Sequence, residues 1–291
     1  MTDSKRTILV GLGDPDTGLA GLDWAAREAH LQHRSLHVVR AYRWSPGVAH
    51  WAAEGDDTIR DDLAHSVHVQ LEAAVARVRD AWPDVRVTGT VVEDSPAHTL
   101  IKMSAGAHVT VLGSRHLNIV GAAVLGSVST VVAAGASGAV VVVNGPAGEP
   151  AAHPVVVVGV DGSAADHDVL SFAFDHASRH ALPLHAVHCW RPDLLATMQW
   201  RPEQPAPERA VRGLAETVAG WQEKYPDVVV DRSVVRDHPV AGLVAASMSQ
   251  ELLVVGANAR HARAAALLGS VGQGVLHHAW CPVAVVHTSS P

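Results

Sequence analysis

Three stretches of the second half of the chain carry residues that could hold a small polar ligand. The first is Gly159-Val-Asp161-Gly-Ser163, directly after a Val-rich run. A carboxylate there can accept hydrogen bonds from a ribose or an amine. Asp and Ser are equally favoured in a turn and at a helix N-cap, so a purely structural role stands beside the binding role. The second is Val255-Gly256-Ala-Asn-Ala259-Arg, followed by Leu268-Gly269-Ser270-Val271. Glycine lets backbone N–H groups approach a phosphate, and Gly-Ser opening a helix presents amides to an anion. The third is Val187-His188-Cys189-Trp190, where main-chain groups at a strand end could pair with a base edge. An ordinary strand end with a partly buried Trp is the plainer reading.

The first half offers a weaker version. Its opening loop reads Gly11-Leu-Gly13-Asp14-Pro15-Asp16, which starts like GxGxxG but has Asp16 at the third position. The dinucleotide fingerprint is not met, which argues against NAD and flavin. Neither half contains GxxxxGK[ST], so no P-loop lysine reaches a terminal phosphate. There is no G-x-S-x-G elbow, no metal-ligand spacing and no motif around either cysteine, so no catalytic set and no metal centre are expected. The twenty histidines include His30 with His33 and His65 with His68, each pair on one helical face and read as solvated. They make the net charge sensitive to mild acid.

The elements that must position these loops follow from composition and pattern. The chain has 291 residues, 48% hydrophobic and 18% charged, with a formal charge of −7. That is a globular composition long enough for two domains. The negative balance argues against nucleic acid and anionic membrane as partners. Phe and Tyr number two each, so Ala, Val and Leu must fill the core. Two cysteines, Cys189 and Cys281, cannot form a disulfide framework, and the N-terminus lacks a signal-peptide apolar region; a cytoplasmic protein is expected. The stretch from His116 to Gly148 has no charged residue, but Gly135-Ala-Ser-Gly138 interrupts it, so it is not read as a membrane span.

The chain is one unit written twice. Thr7-Ile-Leu-Val-Gly-Leu12 returns as Val155-Val-Val-Val-Gly-Val160, an offset of 148. Later the offset is 143, aligning Trp82-Pro-Asp-Val85 with Tyr225-Pro-Asp-Val228 and Leu125-Gly-Ser-Val128 with Leu268-Gly-Ser-Val271. Domains are expected at 1–146 and 152–291, joined by a Gly/Pro-rich linker. Short Val-rich runs predict strands at 7–12, 35–41, 85–92, 108–113 and 139–143. Helical patterns fall at 18–32, 57–81, 95–105 and 125–134, the first with Leu19, Leu22, Ala26 and Ala29 on one face. This alternation predicts an α/β fold of two tandem doubly wound, Rossmann-like domains. Each is a five-stranded parallel sheet flanked by helices, with ligands beyond the C-terminal strand ends.

With the VVVVGVDGS opening of the second half, the Trp24-Ala-Ala-Arg-Glu-Ala29 helix, two Gly-Ser-Val elements and Cys281-Pro-Val-Ala-Val-Val286, the chain resembles a tandem universal stress protein. The resemblance implies strand order 3-2-1-4-5, a homodimer and a stress-response role. It further implies ATP, with magnesium, as a structural or signalling ligand rather than a substrate. The family's nucleotide-binding pattern is Gly, two residues, Gly, nine residues, Gly-Ser/Thr. The first half has Gly113, His116, Gly126 and Ser127 at that spacing; the second has Gly256, Ala259, Gly269 and Ser270. The middle glycine is replaced in both. The family's Asp after the first strand matches Asp161, and Gly13 holds that register in the first half. Asp161, Cys189, Gly256, Ala259, Gly269, Ser270 and Val271 therefore form the expected ATP site, with Gly113, Gly126 and Ser127 a poorer one. The alternative is a nucleotide-free interaction protein of the same fold, acting through dimer surfaces.

Overall fold

The computed structural model describes residues 7–13, 15–44, 57–114, 126–144, 154–163, 165–190, 206–257 and 268–288. The chain divides into two compact units, one holding the described residues up to 144 and the other those from 154.

In the first unit the order is β1 (Thr7–Gly11), α1 (Pro15–Leu31), β2 (Ser35–Tyr42), α2 (Asp57–Ala81), β3 (Val87–Glu93), α3 (Pro96–Ser104), β4 (Val109–Gly113), α4 (Ser127–Gly135) and β5 (Ala139–Val143). The strands lie in the order β3-β2-β1-β4-β5, and every pair is parallel. β1 and β4 are buried almost throughout, as strands covered on both faces must be, and that is why their sequences show runs rather than alternation. β3 is different: Thr88, Gly89 and Thr90 are exposed.

Helix α1 lies close against the sheet because it carries Gly18 and Gly21 on one side. A Cβ on Gly21 would stand 2.7 Å from the Gly113 nitrogen, and one on Gly18 would stand 2.9 Å from the Gly13 nitrogen. Leu22, Ala26 and Ala29 are buried as the periodicity predicts, but Leu19 is 38% exposed. The buried arc also takes in Gly18, Gly21, Ala25 and Glu28, which shifts its centre and leaves Leu19 at the rim.

The second unit repeats the plan: β6 (Val156–Gly159), α5 (Asp166–His180), β7 (Leu184–Trp190), α6 (Ala206–Lys224), β8 (Val230–Arg236), α7 (Pro239–Ala246), β9 (Leu252–Gly256), α8 (Ser270–His278) and β10 (Val283–Val286). Its strands lie in the order β8-β7-β6-β9-β10, again all parallel. The fold is therefore the expected pair of doubly wound α/β units. Pro96 and Pro239 open α3 and α7 at the first helical positions, where a missing N–H costs nothing. Among the described residues the core is mostly aliphatic; the first unit buries Trp24, and the second holds a larger aromatic group. There the fully buried Phe174 stacks on Trp221 at 5.8 Å and on Tyr225 at 5.6 Å.

One pair of cross-strand contacts recurs in both units and makes stability depend on pH. His37 on β2 bonds Thr88 on β3 at 2.8 Å, and His185 on β7 bonds Ser233 on β8 at 2.8 Å. Burial pushes both imidazoles below their ordinary pKa, with Asp231 pulling His185 partly back. The unfolded chain takes up these protons near pH 6.5, and the folded chain only at lower pH. The unfolded state binds more protons in that interval, so stability is full above about pH 6.5 and declines as pH falls through it. Melting temperature should fall between pH 7.5 and 5.5, with a shallower fall in the His37→Gln, His185→Gln double variant. An identical pH profile in that variant would remove the two histidines as the cause.

Candidate functional site

The strand order changes direction between β6 and β9, and a cavity of about 490 Å³ opens beyond their C-terminal ends. That is the place doubly wound sheets use for ligands, and the volume suits a drug-sized molecule. Its walls come from the loop after β6 and the start of α5, the end of β7, the start of α7, the end of β9 and the first turn of α8.

The α8 wall is set by Gly269. Its φ of −60° and ψ of 153° are extended, and its N–H donates to the Ala257 carbonyl at 2.9 Å. The first helical bond runs from the Gln273 N–H to the Gly269 carbonyl at 2.9 Å. The amides of Ser270, Val271 and Gly272 come before that bond, and all three residues line the cavity. They are the helix's N-terminal donors, at the positive end of its dipole. An anion is the natural guest of such a wall. Gly256 contributes the end of β9. A Cβ there would lie 3.4 Å from Val169 Cγ2, an ordinary contact, so glycine at this position leaves open volume rather than relieving a clash.

The loop after β6 is more elaborate than its sequence suggests. Asp161 is exposed, and its Oδ1 accepts from the Ser163 N–H at 2.9 Å. The turn role that Asp favours is thus realised. The loop is anchored from below by Asp166, which is 5% exposed. Its carboxylate accepts from the Asp161 N–H at 3.2 Å and from the Gly162 N–H at 2.7 Å. Gly162 has φ of 78°, a conformation that glycine adopts without a Cβ penalty. Asp166 lines the cavity too, and it did not stand out in the sequence. The signal was present: an acidic residue in the first turn of a helix, three residues after a Gly-Ser pair.

The β7 wall carries His188, Cys189 and Trp190. The His188 Nδ1–H donates to the Val160 carbonyl at 2.8 Å. Arg40, at the same repeat position in the first unit, donates to the Leu12 carbonyl at 2.9 Å. Each side chain thereby ties the residue after the first strand to the second strand. Burial pushes the Cys189 thiol up, and the Asp237 carboxylate adds to that. Gly242 on α7 makes room for this sulfur: a Cβ there would come within 2.7 Å of it. Trp190 holds the rim, with the Arg236 guanidinium 5.6 Å from its ring centre.

Of the residues expected from sequence, Asp161, Cys189, Gly256, Gly269, Ser270 and Val271 line this one cavity. Ala259 and His116 lie outside the described residues, as does Asp14. In the first unit Gly113 ends β4, Gly126 caps α4 and Ser127 begins it. Gly126 has φ of −63° and ψ of 144°, nearly the geometry of Gly269. The loops differ below. Gly18 occupies the repeat position of Asp166, where a Cβ would stand 2.9 Å from the Gly13 nitrogen, so that position supplies no carboxylate to the loop.

The profile of the universal stress protein family matches residues 5–144 and again residues 154–287. A universal stress protein of Mycolicibacterium smegmatis is 36% identical, covering 96% of this chain and 96% of that protein. One from Mycobacterium tuberculosis is 34% identical, covering 99% and 98%. Among solved structures, a universal stress protein from Archaeoglobus fulgidus superposes with a TM-score of 0.75 at 15% identity. It covers 99% of this chain and 100% of its own, a likeness of fold.

Proposed function

The chain belongs to the universal stress protein family, and from that premise we propose that it is a stress-response regulator whose second unit binds ATP with magnesium. The observation that carries this reading is the meeting of the α8 amides with the ends of β6, β7 and β9 around one cavity. Phosphate oxygens would lie against Ser270, Val271 and Gly272. The base and ribose would take the opposite side, between Asp161 and the main chain at Cys189. We read the nucleotide as a bound ligand rather than a substrate. The protein is read as a cytoplasmic homodimer. Among the described residues, no helix is long and apolar enough to cross a membrane.

One observation favours the alternative of a nucleotide-free interaction protein: the Asp161 carboxylate is already engaged by its own loop. Two measurements decide between the readings. Calorimetric titration of the full chain with MgATP should show one saturable site, and a flat trace would sink the nucleotide reading. The second uses Cys189 as a reporter. Thiols alkylate as thiolates, and Cys281 is 3% exposed with its pKa pushed up to about 11 by burial, so it reacts far more slowly. MgATP should slow iodoacetamide labelling of Cys189 at pH 8.5 at least severalfold. Labelling at the same rate under saturating MgATP would place any bound nucleotide elsewhere.

A further inference from the structure

The last two turns of α5 carry a second cluster of ligand-type side chains, remote in sequence from the cavity loops. His176 and His180 stand four residues apart, on one face of the helix. Their rings stack, with centroids 4.0 Å apart and an interplanar angle of 24°. Their ligand nitrogens lie within 4.8 Å of each other. His176 is 4% exposed, and His180 is partly exposed. In the first unit the same two helix positions hold Glu28 and Gln32, joined by a bond from Gln32 Nε2 to Glu28 Oε2 of 2.8 Å. Stacked imidazoles cannot bond each other that way, because their donors and lone pairs lie in the ring planes.

We propose that His176 and His180 form a chelating site for a divalent transition-metal ion of the zinc class. Two His four residues apart on a helix present both imidazoles to one point, which is how the helical His pairs of zinc enzymes hold their metal. Binding requires the two rings to turn out of their stack, since their lone pairs lie in the ring planes; the ion then stands about 2.0–2.1 Å from one nitrogen of each ring. Neutral imidazole is the form that binds, and borderline-soft ions such as Zn²⁺ suit nitrogen ligands better than Mg²⁺ or Ca²⁺. The position helps as well. Both histidines lie near the C-terminus of α5, which ends at Ala181 in a left-handed cap, and the negative end of the helix dipole favours a cation there.

The test uses the full chain, stripped with a chelator and titrated with Zn²⁺ at pH 7.5. An ion that binds the folded state raises the melting temperature by mass action. A rise of several degrees at about 100 μM Zn²⁺ is expected, with Mg²⁺ at the same concentration giving none. His180→Gln, a change on the last turn at a partly exposed position, should abolish the rise. His65→Gln, which touches only the solvated pair on α2, should leave it intact. Co²⁺ substituted for Zn²⁺ should bring visible absorption in the parent chain and not in His180→Gln. No Zn²⁺-dependent rise, or an equal rise in parent and His180→Gln, overturns the site.

Discussion

Replacing Gly269 by Val should lower MgATP affinity at least a hundredfold while leaving the second unit folded. The extended backbone of Gly269 is one that valine adopts freely, so no strain is introduced. The new side chain stands at the mouth of the α8 amides, where phosphate oxygens would approach. Losing even two charge-assisted hydrogen bonds at about 1.5–3 kcal/mol each is worth about two decades of affinity. Asp161→Ala should cost less, about tenfold, because its carboxylate is shared with the Ser163 amide. A companion variant, Gly256→Ala, adds a Cβ 3.4 Å from Val169 Cγ2 at the end of β9 and should act in the same direction, more weakly. Calorimetry on the three variants, with circular dichroism to confirm folding, reads the series. Unchanged affinity in folded Gly269→Val would mean the nucleotide does not use the helix terminus.

The second large effect concerns stability. Asp166→Ala strips two loop amides, those of Asp161 and Gly162, of a buried acceptor. A hydrogen bond to a charged group is worth about 1.5–3 kcal/mol, so losing both should cost about 3 kcal/mol. Asp166→Asn keeps one acceptor oxygen and should lose about 1 kcal/mol. Urea unfolding of the second unit's transition measures both. A loss under about 0.5 kcal/mol for the alanine variant would show that water takes over both amides. The same substitution has no counterpart in the first unit, where Gly18 stands at that position.

Much of this architecture was legible because parallel strands buried on both faces leave continuous Val runs, and because two copies of one pattern corroborate each other. β4 and β9, TVLG and LVVG after their first residue, announce themselves. Gly256 and Gly269 were legible from their spacing, and both line the cavity. What stayed hidden was what depends on side-chain direction. Asp161 and Asp166 are both acidic residues of one loop, yet one faces solvent and caps a turn while the other is buried and holds the loop up. Nothing in their spacing separates those roles. Leu19 shows the same limit. Its spacing fits the apolar stripe of α1, but two glycines pull the helix against the sheet along a different line. The spacing of His176 and His180 looks like that of any solvated helical pair; only the burial of His176 and the stacking of the two rings set it apart.

The solvent-facing β3 and β8 have a consequence for how a guest would enter the cavity. Amide protons of β1, β4, β6 and β9 lie under cover on both sides, so deuterium from the solvent reaches them only when a whole unit opens. β8 is half open to water along its length, and its amides can exchange through local fraying. Gly159 and Gly256 close the two protected strands, so the deep wall of the cavity shares their rigidity. Trp190 and Arg236 are paired in register at the loose side, on β7 and β8. The pocket thus has a stiff back and a breathing front. Traffic in and out would be gated by excursions of the Trp190–Arg236 rim, on a timescale set by the outermost strand rather than by the global unfolding of the unit.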